Sequence, residues 1–329
     1  RRHEVEGFGP AHETFASAPG NRGFGLEELV KITMKRSISM ALGALALAAV
    51  SPAAAQTAAA PAAKPALDVH GQPFPRIPGQ NLDGLRVYIR AGLKTHQAGQ
   101  HDYPQFLADF SKVLTEHGAV VDGSFHAPSA AELANTDVIV MYKGDAGFMT
   151  AAQRTALQAF IKRGGGIVTV HDVLCGPDPA EFASYVGGGK KHGQVNYTLE
   201  AKVPYTIVDK ANPIMQGMTE MTLNDESFYL MTWSQAPKIH VLATTVIDNT
   251  PSAKGHAGEV VPQIWTYEHT AAGGKPARAF VWMQGHNYAN ISNPQIQGML
   301  LRGIAWAGKH PVNELVDYKQ PAPEPRPNR

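Results

Sequence analysis

The chain has 329 residues, enough for one large domain or two closely packed ones. Its 29 Lys and Arg stand against 28 Asp and Glu, and the net charge of +1 excludes the basic excess of a nucleic-acid-binding protein. A single cysteine excludes an intramolecular disulfide framework and a multi-cysteine zinc site, and fourteen histidines direct any metal chemistry toward imidazoles and carboxylates.

Residues 1–33 show no sustained periodicity and read as an upstream or misassigned segment. From Met34 the pattern changes to a basic start at Lys35 and Arg36, an apolar run from Ser37 to Val50, and small residues around Ala53 and Ala55. This is the layout of a signal peptide over 34–55, cleaved after Ala55, and its apolar run is shorter than the ~20 residues of a permanent membrane span. The expected location is the periplasm or the exterior. Residues 56–84 are rich in Ala and Pro and read as a linker, as does the Pro-rich tail 319–329. A single domain is expected over 85–318.

Within it, Leu85–Arg90 is a short β-branched strand. Phe106, Leu107, Phe110, Val113 and Leu114 recur at helical spacing over 103–117, with Gly118 as the stop. Residues 119–121 form a second strand. Asp137–Tyr142 is a continuous apolar run, as expected of a strand covered on both faces. Thr150 is a good N-cap for a helix that carries Leu157, Phe160 and Ile161 and stops at Gly164, and Ile167–Val170 is the next buried strand. This βαβαβ order predicts an α/β fold with a mainly parallel sheet and helices on both faces. The second half adds strands at 238–247, 260–267 and 278–283, and a helix over 294–308 closes the domain.

Ligands of open parallel sheets bind beyond the carboxyl ends of the strands. The first strand is followed by Lys94, His96, His101, Asp102 and Tyr103; the third by Lys143 and Asp145; the fourth by His171 and Asp172. His286 follows the strand 278–283. Gly187–Gly189 leads through Lys190 and Lys191 to His192 and reads as a flexible loop. It lacks the features of a P-loop or a dinucleotide turn, so no nucleotide cofactor is expected. Asp225 and Glu226 precede Tyr229. Cys175 comes a full turn after the strand end, where His171 stands, and reads as incidental rather than nucleophilic.

These loops, taken together, resemble the ThuA-like (trehalose-utilisation) family. The pieces that carry the likeness are Lys94–His96 with His101–Tyr103, Gly165–His171, Val186–Gly188 with His192, Asn212–Ile214 with Gly217, Asp225–Glu226 with Tyr229, Pro262–Trp265, Arg278–Phe280 with Gly285–His286, and Leu301–Ala307. The resemblance implies a flavodoxin-like, class I glutamine amidotransferase-like fold and a role in sugar metabolism, often beside sugar dehydrogenases that make 3-keto-glycosides. Amidotransferases hold a nucleophilic Cys at the elbow that His171 occupies here, so amidotransferase activity is not expected.

The favoured expectation is an exported hydrolase, lyase or isomerase acting on a disaccharide, a glycoside or its 3-keto derivative. His171, Glu226, His286 and His192 are the candidate acid–base residues. His96, His101, Tyr103, Asp172, Asp225, Tyr229 and Arg278 are the candidate substrate contacts, with Lys94 as a further sugar or oxyanion partner. The four residues His171, His192, Glu226 and His286 also suit a divalent metal with an open coordination position. The alternative is a non-catalytic carbohydrate-binding or sensing protein in which Tyr103, Tyr229, Trp265 and Tyr288 stack on sugar rings.

Overall fold

A computed structural model of the protein describes residues 83–235 and 238–320. The expected upstream segment 1–33, the expected signal peptide 34–55, nearly all of the expected linker 56–84 and the tail beyond Gln320 lie outside these residues. No helix among the described residues is long and apolar enough to cross a membrane.

The expected strands and helices form with small shifts of boundary. They are β1 (Arg86–Ala91), α1 (Tyr103–Glu116), β2 (Val120–Ser124), β3 (Val138–Tyr142), α3 (Ala151–Lys162) and β4 (Gly166–Val170), then β11 (Ile239–Val246), β12 (Val260–Thr270), β13 (Pro276–Trp282) and α5 (Pro294–Ala307). Thr150 caps α3 as its composition suggests: its side chain accepts from the Gln153 backbone N–H, and Gln153 reaches back to the Thr150 backbone.

One sheet of eight strands runs in the order β2-β1-β3-β4-β13-β12-β11-β8, with β8 at Thr206–Ile207. The five strands from β2 to β13 are mutually parallel, and β12, β11 and β8 extend the sheet by antiparallel pairing. Each central strand is apolar on both sides because each side is covered. Val138, Val140, Val168, Val170 and Phe280 pack on one face with Phe106 and Phe110 of α1 and Met299 and Ile304 of α5. Ile139, Met141, Ile167 and Val281 pack on the other with Leu157 and Phe160 of α3 and with Phe182 and Trp265.

The short elements were not legible from periodicity. They are α2 (Ala130–Ala134), α4 (Pro179–Val186), β5 (Cys175–Gly176), β6 (Gly188–Lys191), β7 (Ala201–Pro204), β9 (Thr222–Asp225), β10 (Thr232–Trp233) and α6 (Glu314–Asp317). The glycine run is therefore not a flexible loop. Gly188 to Lys190 are buried in β6, which pairs with β5 and β10. Glycine is required there by close approach, since a Cβ on Gly189 would lie 1.9 Å from the Pro179 carbonyl oxygen of α4.

Candidate active site

Parallel pairing brings the carboxyl ends of β1, β3, β4 and β13 to one edge of the sheet, and with them the loops that begin at Gly92, Lys143, His171 and Met283. The loop after β1 is tied to the loop after β13 by backbone bonds: His101 N–H to the His286 carbonyl at 3.0 Å and Tyr288 N–H to the Gly99 carbonyl at 2.8 Å. Lys94, expected as a sugar or oxyanion partner, is engaged by its own loop. Its ammonium donates to the carbonyls of Thr95, His96, Gln97 and Gln100 at 2.5–3.2 Å and pairs with Asp102 at 3.0 Å, so it holds the histidine loop in shape.

His101, His171 and His286 converge. His101 Nε2 lies 2.8 Å from His171 Nε2 and 3.0 Å from His286 Nδ1, and all three residues are buried. The backbone holds them under strain. His171 sits on a sharp strand-to-helix elbow with φ 63° and ψ −141°, and His101 has φ 46°. Burial first, and then the cationic and imidazole neighbours, push His101 down to about 3 and His286, beside His96, down to about 4. The same causes hold His171 well below the usual histidine range. All three rings are thus neutral near pH 7. The Met283 carbonyl faces His171 Nδ1 at 3.4 Å, and Thr95 Oγ1 lies 2.9 Å from His101 Nδ1. With Nδ1 of both rings engaged there, both Nε2 atoms remain for the centre.

Glu226 closes the cluster, with Oε1 3.4 Å from His286 Nδ1 and Oε2 3.8 Å from His171 Nε2. Burial raises its carboxyl to about 8, against the opposing pull of Lys190. Its neighbour Asp225, expected as a substrate contact, is engaged by the protein itself. It is fully buried and accepts from the backbone N–H groups of Glu226, Gly285 and His286 at 2.8–3.1 Å and from Asn290 Nδ2 at 2.6 Å, fixing the loop that carries His286. Asp225→Ala would leave these donors buried without acceptors, at roughly 1–3 kcal/mol each. The expected loss is about 3 kcal/mol or more by chemical denaturation; an unchanged midpoint would show that the cradle is not needed.

The remaining expected residues divide. His96 lines the cavity above the cluster, its ring 3.9 Å from that of His101 and 5.4 Å from that of His286. Tyr103 backs His101 at 5.1 Å. Asp172 pairs with buried Lys190 at 2.7 Å. Tyr229 is core, donating to the Ser252 carbonyl at 2.5 Å. Arg278 lies over Trp306, 4.9 Å from its ring, and does not line the cavity. His192 is also displaced from the expected quartet. Strand β6, packed on α4, places it at the rim, where Nδ1 is 2.8 Å from Asp145 Oδ1 and 4.0 Å from Cys175 Sγ. One ring nitrogen faces both partners, so no relay reaches the sulfur, and burial pushes the Cys175 thiol up, away from nucleophilic thiolate.

His101 takes the central place that the sequence reading gave to His192. Donor atoms of His101, His171 and His286 lie within 4.8 Å of one another, the spacing of a metal-ligand group. Lys190, Thr95 and the paired Gln263 and Gln284, 2.6 Å apart behind the Glu226 segment, were not anticipated. The signal for the last two was present: each is a glutamine beside an apolar strand run, and each is fully buried. The cavity over the cluster measures about 680 Å³. Phe125 and Tyr197 line it, whereas Trp265 is fully buried in the core and Tyr288 is engaged with Asp109 at 2.7 Å.

A family model described as ThuA, trehalose utilisation, matches residues 92–307, about two thirds of the chain. The chain belongs to the ThuA family. A protein described as ThuA-like from Parabacteroides merdae shares 19% identity at a TM-score of 0.52, covering 68% of this chain and 90% of its own. A second, from Bacteroides uniformis, shares 16% identity at a TM-score of 0.49, covering 71% and 93%. At such identity the first supports the ThuA fold alone. None of the curated proteins matches the sequence. ThuA membership gives the chain a carbohydrate-related function.

Proposed function

We propose that the protein is an exported enzyme that performs acid–base chemistry on a disaccharide, a glycoside or its 3-keto derivative. The observation that carries this reading is a cluster of three buried imidazoles and one carboxyl group that opens, through His101 and Glu226, into a cavity wide enough for a sugar. A ketone at sugar C3 acidifies the hydrogen at C2. An imidazole of the cluster accepts that proton while the protonated Glu226 donates its own to the departing glycosidic oxygen, and the C–O bond breaks. His286 Nδ1 is 3.4 Å from Glu226 Oε1, so the imidazolium can return its proton to the carboxylate and restore both groups.

A divalent metal fits the same donor set, because burial keeps the three rings unprotonated and the outer nitrogens of His171 and His101 face Met283 and Thr95. His101 Nε2, His171 Nε2 and His286 Nδ1 would hold it, which takes these nitrogens out of proton transfer and leaves His96, which lines the cavity, as the base; the ion would supply stabilisation of negative charge on an enolate oxygen.

The test is metal analysis of the purified chain together with a turnover assay on 3-keto-glycosides. Expected are about one divalent ion per chain, lost in His101→Ala, and product release from the keto substrate. Absence of both bound metal and turnover would overturn the reading.

A further inference from the structure

The cavity wall contains two cations that make no ion pair among the described residues. Of its lysines, Lys190 is paired with Asp172, and exposed Lys191 is turned to the Pro177 carbonyl. Half-buried Arg90 makes one long hydrogen bond, 3.4 Å to the Ala91 carbonyl, from a group with five N–H donors. Half-buried Lys143 reaches only the carbonyls of Gly144 and Asp145, at 2.8 and 3.3 Å. Neither has a carboxylate within ion-pair distance among the described residues; Asp145 and Asp172 act on Lys143 only from farther off, and their carboxylates are paired with His192 and Lys190.

The sheet puts the two cations together. Arg90 on β1 is in register with Met141 on β3, and Lys143 follows two residues on, on the same face. Both also line a smaller pocket whose walls include Leu133, Ile139, Leu157 and Phe182. This apolar backing keeps water from screening them. Burial, and the Arg90 guanidinium nearby, hold the Lys143 ammonium below the usual lysine range. Like charges held together in a half-dry wall are unfavourable until an anion arrives.

Their position relates them to the histidines. A Cβ on Gly92 would lie 2.7 Å from the Tyr103 ring and 3.2 Å from Lys143 Cγ, so the lysine stem runs beside that ring. The same Tyr103 ring lies 5.1 Å from that of His101. The cation pair thus stands one aromatic ring away from the histidine cluster, in the same cavity.

We propose that Arg90 and Lys143 form an oxyanion subsite, and that the sugar taken by this cavity carries a negatively charged substituent, a carboxylate or a phosphate. The assignment rests on the carbohydrate reading of the cavity and adds the charge of its ligand. A planar guanidinium beside a point-charge ammonium can hold either oxyanion.

The test is calorimetric titration of the full chain with glucuronate, glucose 6-phosphate, inorganic phosphate and glucose at low and high salt. One or both acidic sugars should bind at least about tenfold more tightly than glucose, with affinity falling as salt rises. The arm that binds identifies the substituent. The double variant Arg90→Gln with Lys143→Met should lose that advantage about tenfold and leave glucose binding unchanged. The charge-preserving pair Arg90→Lys with Lys143→Arg should retain most of it. Equal binding of glucose and both acidic sugars would overturn the proposal, as would inorganic phosphate binding with neither acidic sugar, or wild-type affinity for the acidic sugars in the neutral double variant. Binding is read without turnover. An anion preference without catalysis would leave the subsite standing and count only against the enzyme reading; turnover without anion preference would do the reverse.

Discussion

His171→Ala is expected to lower turnover of a 3-keto-glycoside by a factor of about 10² to 10⁴, the range of a lost acid–base partner. Its ring packs within the cluster, 2.8 Å from His101 and 3.8 Å from Glu226, on an elbow that fixes its position. The cost to the fold should be modest, about 1–2 kcal/mol. Truncation removes packing, but it also removes a buried polar ring whose bond to the Met283 carbonyl is long at 3.4 Å. Steady-state kinetics normalised to folded protein, with a melting curve alongside, check both halves. If activity per folded molecule persists while the melting temperature collapses, His171 is a structural residue. Glu226→Gln preserves shape and removes the titrating group, so it should reproduce the kinetic loss with still less effect on stability.

Gly189→Ala is expected to have the largest effect on stability of any glycine-to-alanine change among the described residues. The new Cβ would fall 1.9 Å from a backbone oxygen of Pro179, which cannot rotate away as a side chain would. Strand β6 would have to move, and with it Lys190, whose pairing with Asp172 depends on that strand. A loss of about 3 kcal/mol or more is expected by denaturant titration. Gly193→Ala is the control. Gly193 has φ 76° and nothing within 4 Å of its Cβ position, so only the left-handed backbone cost of about 1–2 kcal/mol applies. Similar losses at the two positions would refute the steric account.

The parts of this fold that were legible from composition are those with strong periodicity. The runs Val138–Tyr142 and Gly166–Val170 announce strands buried on both sides, and strand-end position alone marks His171 and His286. The match of a family model over 92–307 agrees with the family resemblance carried by the loops. His101 was visible as a polar loop residue but not as the hub of the cluster. Its place depends on backbone bonds between loops 185 residues apart in sequence, which no local pattern encodes. His192 misled for the opposite reason. The preceding glycines resemble a hinge, yet they are required by tight packing of β6 on α4, and that packing carries His192 to the rim. Arg278 and Tyr229 were assigned by residue type, and Trp306 and Ser252 engage them instead.

Four residues of the strand-end loops, His96, His101, Asp145 and His171, hold backbone angles that favour glycine. Directed evolution scored only on heat resistance would therefore drift toward glycine at these positions, each step relaxing the chain and deleting a working side chain. Any hardening programme for this protein should be scored on turnover at every round and should seek its gains elsewhere, for instance in the exposed turns of the sheet's antiparallel half.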